Sequence, residues 1–472
     1  MAPSRAAALS LALFALCAAA VRPAAATGVF RVRRKFQRDN AGGEEGHLAA
    51  LRRHDVRRHG RMLGAVDLPL GGLGLPTETG LYYTQIGIGS PAKSYYVQVD
   101  TGSDILWVNC IRCDGCPSRS GLGIELTQYD PAGSGSTVGC DQKFCVANYG
   151  GVPLSCSPGM PCQFRITYGD GSSTTGFFVS DVLQYNQVSG DGQTTPSNAT
   201  VTFGCGAQLG GDLGNANQAL DGILGFGQSN SSMLSQLAAA GKVRKIFAHC
   251  LDTVNGGGIF AIGNVVQPKV KTTPLVPNMP HYNVNLKAIT VGGATLQIPA
   301  NTFNSGDTRG TVIDSGTTLT YLPEAVYKTM MSAVFEKHQD LSLRNYQDFL
   351  CFKFSGSVDD GFPIITFNFE GDLTLNVYPH DYLFQNGYDL YCVGFLNGGL
   401  QTKDGKDMVL LGDLVLSNKL VVYDLENQVI GWTDYNFLAP RALKSRMTRL
   451  AQRTLLMHII SRLGGDFSGT NP

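Results

Sequence analysis

Val97-Gln98-Val99-Asp100-Thr101-Gly102-Ser103 and Thr311-Val312-Ile313-Asp314-Ser315-Gly316-Thr317 follow one pattern. In each, a short apolar run leads to Asp, then Thr or Ser, then Gly, then Ser or Thr. Apolar residues running into the Asp read as a buried strand that ends at a carboxylate. The aspartates stand 214 positions apart, at 100 and 314, each early in its half of the chain. Such a repeat implies two related lobes that bring one carboxylate each to a shared site.

A second echo supports the duplication. Asp221-Gly222-Ile223-Leu224-Gly225 follows the first motif, and Val409-Leu410-Leu411-Gly412-Asp413 follows the second. Each sets apolar residues before a Gly, as a strand passing close behind another loop requires. An isolated segment of this kind is an ordinary buried strand ending in a turn. The matched order in both halves argues for a common scaffold.

At 472 residues with 58 Gly, and with short Val, Ile, Thr, Phe and Tyr runs broken by turn residues, the chain reads as mainly β. Paired strands are expected over 81–87 and 94–99, and a hairpin over 164–179 turning at Asp170-Gly171-Ser172-Ser173. Helices are expected over 231–240, stopped by Gly241, and over 323–338, opened by Pro323. Four prolines between 268 and 280 mark the connection between lobes.

The formal net charge of zero hides a segregation. Residues 78–436 hold 19 Lys plus Arg and 31 Asp plus Glu, a net of −12; residues 29–63 hold ten basic residues and four acidic ones. An acidic body behind a basic leader suggests a precursor whose leader is removed. The alternative is a basic arm for nucleic acid, which the preceding segment disfavours. Arg5, the apolar run 7–21 and Ala24-Ala25-Ala26 fit a secretory signal peptide. No later run reaches the roughly 18 apolar residues of a membrane helix. The expected organisation is a signal peptide at 1–26, a basic propeptide at 27–75 ending near Gly71-Gly72-Leu73-Gly74, an N-terminal lobe with flap and Cys-rich insert at 76–265, a C-terminal lobe at 275–436 and a basic tail at 437–472. The expected location is the secretory pathway, with release outside the cell or to its surface, and the vacuole as an alternative.

Secretion decides how the cysteines read. Without Cys17, eleven remain: Cys110, Cys113, Cys116, Cys140, Cys145, Cys156, Cys162, Cys205, Cys250, Cys351 and Cys392. The spacing of Cys110, Cys113 and Cys116 also suits zinc, but an oxidising compartment favours disulfides. The odd count leaves one thiol over. Asn198 and Asn230 open N-glycosylation sequons.

Five motifs in order carry a family resemblance: Asp100-Thr101-Gly102-Ser103 with Leu106-Trp107-Val108, Tyr168-Gly169-Asp170-Gly171-Ser172, Asp221 to Gly225, Asp314-Ser315-Gly316-Thr317, and Leu411-Gly412-Asp413 with Val421-Val422-Tyr423-Asp424. From about residue 78 to 432 the chain resembles the pepsin-type aspartic endopeptidases, in their plant nepenthesin-like, aspartic proteinase-like branch. The resemblance implies a mainly β, bilobal fold with the active-site cleft between two pseudo-two-fold-related lobes. It implies peptide hydrolysis at acid pH by water activated between Asp100 and Asp314. Two close carboxylates share a proton, so one takes a proton from water while the other donates to the scissile carbonyl. By the same resemblance Gly102, Ser103, Gly316 and Thr317 support the pair. Tyr168, Gly169 and Asp170 belong to a flap over the substrate, and Trp107 packs against and hydrogen-bonds Tyr168. Taken alone, Trp107 reads equally as a core aromatic.

No cofactor or metal is expected, and the partners are polypeptide substrates of a monomer, not nucleic acid. His281, His338 and His380 lack metal-ligand spacing, and no Gly-x-Ser-x-Gly or phosphate loop occurs. Some relatives of this branch carry a further cysteine and an apolar anchor signal at their C-terminus. Here Asp434-Tyr435-Asn436 runs into Phe437, so Cys205 or Cys250 is the candidate for a lost partner. The basic tail reads as a disordered or alternatively spliced end, or as an amphipathic helix through which alone the chain would meet a membrane. The competing functional reading is a catalytically silent binding or inhibitor protein on the same scaffold.

Overall fold

The computed structural model describes residues 65–435, apart from 79, 154, 189–193, 264–269, 300–301, 304–309 and 399–407. The expected signal peptide, residues 27–64 of the basic leader and the tail from 436 lie outside the described residues.

The duplicated motifs become duplicated sheets. In the first half, strand Lys93–Asp100 ends at the aspartate. Gly222–Gly225 runs parallel to it, with Asp100 opposite Gly225, and antiparallel to Leu106–Asp114. Thr194–Gly210 then lies parallel to Leu106–Asp114, with Trp107 opposite Gly204. In the second half, Thr311–Ile313 leads to Asp314, and Leu410–Leu411 runs parallel to it. That strand meets Thr320–Leu322 antiparallel, and Phe395–Asn397 lies parallel on the outside. The order is the same in both halves: aspartate strand, apolar-Gly strand, the strand after the aspartate, flanking strand. Gly225 and Gly412 sit where a side chain would collide with backbone, 2.5 Å from Asp104 C in the first case and against Thr317 O and Leu319 O in the second.

A floor of six strands joins the halves in the order Lys271–Pro274, Val429–Asp434, Lys419–Asp424, Ile246–Leu251, Gly258–Ile262, Ala65–Leu73. The first of these falls in the proline-rich connection, with Pro274 at the strand's end. Val99, Leu224, Phe247, Phe260, Tyr282, Ile313 and Tyr423 belong to one buried cluster running through both halves.

Gly71, Gly72 and Leu73 form no loose junction; they end strand Ala65–Leu73, which pairs Leu70 with Thr84 and Val66 with Ile262. Glycines read locally as a break, but here backbone pairing with two neighbouring strands overrides that preference. A Cβ on Gly71 would sit 2.8 Å from the Tyr83 ring.

The expected strands over 81–87 and 94–99 pair as Leu81–Ile88 and Lys93–Asp100. The first helix covers Met233–Ala239, with Ser232 Oγ accepting from Ser235 N–H and Gly241 at φ +66° beyond its end. The second covers Glu324–Val334 and buries Val326, Met330, Met331 and Val334. It stops before His338, whose ring stacks on Phe362 at 4.6 Å and whose Nε2 lies 2.7 Å from Gly361 O. Among the described residues no helix is long and apolar enough to cross a membrane.

Candidate active site

The two aspartates close on each other from opposite lobes. Asp100 and Asp314 are 6% and 7% exposed and are hydrogen-bonded to one another. Each is held by its own loop in the same way. Gly102 N–H donates to Asp100 Oδ1 at 2.7 Å and Ser103 Oγ donates to Oδ2. Gly316 N–H donates to Asp314 Oδ1 at 2.8 Å and Thr317 Oγ1 donates to Oδ2 at 2.7 Å.

The glycines make this approach sterically feasible. A Cβ on Gly102 would lie 2.5 Å from Asp314 Oδ2, and one on Gly316 would overlap the Asp100 carboxyl. Each carboxylate therefore rests on the bare backbone of the opposite loop. The loops are also tied directly. Thr101 Oγ1 accepts Ser315 N–H at 2.8 Å, and Ser315 Oγ lies 3.3 Å away.

Burial, and then the nearby Asp314 carboxylate, push the Asp100 carboxyl up to about 7, against the Ser103 and Gly102 hydrogen bonds. That shift favours a proton on the Asp100 carboxyl, as expected where two close carboxyls cannot both ionise cheaply.

Above the pair, strands Gln163–Thr167 and Ser173–Val188 form the expected hairpin. Its turn is closed by Tyr168 N–H to Ser172 O at 2.9 Å and by Asp170 Oδ1, which accepts Ser172 N–H at 2.9 Å. Gly169 and Asp170 are exposed at the tip. Trp107 Nε1–H donates to Tyr168 Oη at 2.7 Å. Burial, and then the Asp100 charge, raise the Tyr168 hydroxyl pKa. The two readings of Trp107 coincide, since its ring also lies in a buried cluster with Phe164, Phe178 and Ile223.

The family described as Xylanase inhibitor N-terminal matches residues 82–264, and Xylanase inhibitor C-terminal matches 281–434. Aspartic proteinase 36 of Arabidopsis thaliana is 50% identical over 86% of this chain and 84% of its own length. Aspartic proteinase 39 of the same plant is 48% identical over 88% and 85%. The chain belongs to the plant pepsin-type aspartic protease family. The crystal structure of edgp, at 18% identity, superposes with a TM-score of 0.63 over 79% of this chain and 95% of that one, which shows the shared bilobal fold.

The cysteines pair as disulfides: Cys110–Cys205, Cys113–Cys116, Cys140–Cys156 and Cys145–Cys162 in the first half, and Cys351–Cys392 in the second. Cys110, Cys113 and Cys116 are therefore not a zinc set. Cys110–Cys205 ties Leu106–Asp114 to its parallel neighbour Thr194–Gly210, and Cys145–Cys162 anchors the root of the hairpin that carries Tyr168. Of the two candidates for a lost partner, Cys205 is paired and Cys250 is the reduced, buried one.

Asn198 and Asn230 are exposed. The three histidines considered lie apart from the aspartates: His380 pairs with Asp359 at 2.8 Å, His338 meets Gly361, and His281 offers its carbonyl to Gln228 at 2.7 Å. Sequence reasoning missed the bridging role of Thr101 and Ser315, although the hydroxyl residue between Asp and Gly in both motifs was a usable signal. It also missed Asp413, read only as scaffold. Asp413 is 1% exposed, its backbone N–H donates to Thr317 O at 2.7 Å, and burial and Asp314 raise its carboxyl well above the usual range.

Proposed function

We propose that the chain is an aspartic endopeptidase that hydrolyses peptide bonds with a water activated between Asp100 and Asp314. The observation that carries the reading is the matched pair of carboxyls, each held by two donors from its own loop and seated on the glycine of the other. The ionised member takes a proton from water as it attacks. The neutral member donates to the carbonyl oxygen, and the proton later passes to the leaving nitrogen. Tyr168 and the hairpin around it close over an extended peptide, excluding water and fixing the scissile bond. The raised carboxyl pKa of Asp100 supports activity at acid pH.

The leading segment fits a secreted precursor. Its basic residues at 29–63 oppose the acidic body at neutral pH, and acid neutralises the carboxylates that hold it. Sequencing of new N-termini after incubation across pH tests this; the expected result is an acid-triggered cut between about residues 60 and 80. The signal segment, the exposed Asn198 and Asn230 and the disulfides fit passage through the secretory pathway.

The description of both matching family domains as xylanase inhibitor favours a second reading, a silent binding protein. Cleavage of a denatured protein at acid pH by the wild type and by Asp100→Asn separates the two. The peptidase reading expects activity that the substitution abolishes. A wild type without cleavage that nonetheless inhibits a xylanase would favour the second.

A further inference from the structure

One buried side chain links the main chain at Asp100 to the strand that delivers Asp314, and the mechanism above does not use it. Phe226 follows strand Gly222–Gly225, and its N–H donates to the Asp100 carbonyl at 2.7 Å. Tyr282 Oη donates to the Phe226 carbonyl at 2.6 Å. The Tyr282 carbonyl in turn accepts the N–H of Ile313, the residue before Asp314, at 3.0 Å. Phe226 and Tyr282 thus span the gap between the two aspartate strands, and both are fully buried.

We propose that Tyr282 is a positioning residue for the carboxyl pair, with Gln228 as a second clamp beside it: together they set where the strand into Asp314 stands relative to Asp100. This rests on the peptidase reading.

Each end of the path is fixed to its own aspartate. In the first half, Gly227 N–H donates to Ser103 O at 2.8 Å and Ser229 N–H to Asp104 Oδ1 at 2.9 Å, so residues 226–229 move with the Asp100 loop. In the second half, Asn283–Val284 follows Tyr282 directly and pairs antiparallel with Thr311–Ile313, Asn283 opposite Val312. Tyr282 therefore moves with the Asp314 strand. Side chains join the two ends. Besides the Tyr282 hydroxyl, Gln228 Nε2 donates to His281 O at 2.7 Å and to Met279 O at 3.4 Å.

The Tyr282 hydroxyl is a dependable donor. Its ring lies edge-on to Tyr423 at 4.7 Å and to Phe247 at 5.9 Å, which fixes its direction. Burial, and then Tyr423, hold its pKa well above the usual value, so it stays protonated from acid to neutral pH. The Thr101–Ser315 bond ties the tips of the two aspartate loops, and the Tyr282 path ties the strands that lead into them. With the tips alone tied, the strands can pivot about that point and carry the carboxyls out of register.

Two measurements test this. The first compares steady-state kinetics on a peptide for the wild type, Tyr282→Phe, Gln228→Leu and Met330→Ala. Tyr282→Phe keeps the ring and removes only the donor. It should lower kcat roughly tenfold and leave KM within about twofold, because the reacting groups lose alignment while the cleft is untouched. Gln228 is half-buried, and Gln228→Leu should lower kcat by a smaller factor; it carries the test if Tyr282→Phe does not fold. Met330→Ala opens the buried face of helix Glu324–Val334, away from this path; it should lower Tm and leave kcat in place. Wild-type kcat in Tyr282→Phe overturns the proposal, as does an equal fall in Met330→Ala; if Tyr282→Phe does not fold, wild-type kcat in Gln228→Leu overturns it. The second measurement needs no activity: a 13C titration of the aspartate carboxyls, with the Asp100 signal assigned by its loss in Asp100→Asn. Carboxyls drawn apart repel one another less, so Asp100 should titrate at least about half a pH unit lower in Tyr282→Phe, or in Gln228→Leu in its place. That shift supports the proposal even if the wild type proves catalytically silent. An unchanged titration overturns it.

Discussion

The Thr101 hydroxyl accepts the Ser315 backbone N–H at 2.8 Å, across 214 residues of sequence. That bond, with Ser315 Oγ at 3.3 Å, fixes the distance between the two aspartate loops. Thr101→Val keeps the shape and removes the acceptor. It strands a buried N–H, at a cost of about 1–3 kcal/mol. Urea unfolding should show that loss, and kcat should fall roughly ten- to a hundredfold as the carboxyls lose register. Unchanged kcat would mean that the loops are held by the surrounding sheets alone.

The Trp107 indole orients the flap tyrosine through one bond of 2.7 Å. Trp107→Phe retains most of the buried ring and removes that donor. KM for a peptide substrate should rise several-fold with a smaller change in kcat, because Tyr168 loses its closed orientation. Tyr168→Phe should give a comparable effect, and the double variant little more than either alone. Steady-state kinetics on the four forms checks the cycle.

Three buried carboxyls favour the fold at acid pH, opposed in part by buried His249, whose pKa is pushed down to about 3 and whose contribution is lost as pH falls below about 6.5. Burial raises Asp100 to about 7 and Asp221 to about 6, the latter against its bonds from Tyr96 and Thr127 N–H, and burial with Asp314 raises Asp413 well above the usual carboxylate range. For each, the folded pKa lies above the unfolded one. Their stabilising share is complete below about pH 4 and is lost as pH rises through about 6 to 7 and beyond. Each unit of elevation corresponds to about 1.4 kcal/mol. Calorimetry should give a Tm at least about 5 °C higher at pH 4 than at pH 7.5. Asp413→Asn should flatten that dependence.

The disulfides should differ in worth by the loop that each closes. Cys110–Cys205 spans 95 residues and Cys113–Cys116 spans 3. Removing the first by paired Ser substitution should cost about 4–5 kcal/mol, and removing the second under about 2 kcal/mol, on the chain-entropy estimate. Cys250 is buried, and burial pushes its thiol pKa up. It should resist alkylation in the native protein and react once the chain unfolds.

Much of this was legible because the fold repeats itself. Asp100 with Gly225 and Asp314 with Gly412 announce the two equivalent sheets, since each needs a strand end, a hydroxyl and a glycine in fixed order. The flap is a local hairpin, and Tyr168 was readable from its turn. What escaped depends on pairings distant in sequence. Ala65–Leu73 looks like a loop until Ile262 and Thr84 pair with it. Tyr282 carries no motif and stands 56 residues from the Phe226 that it bonds. Asp413 resembles any turn aspartate until burial beside Thr317 is seen. Cysteine spacing gave the count but not the partners, because connectivity follows from which strands become neighbours.

The most direct measurement is hydrolysis of a denatured protein across pH 3 to 7 by the purified chain after removal of its leader, beside Asp100→Asn and Asp314→Asn prepared identically. The account predicts cleavage by the wild type that is strongest at acid pH and is lost in both variants while their folding is retained. Cleavage that persists in either variant would contradict it.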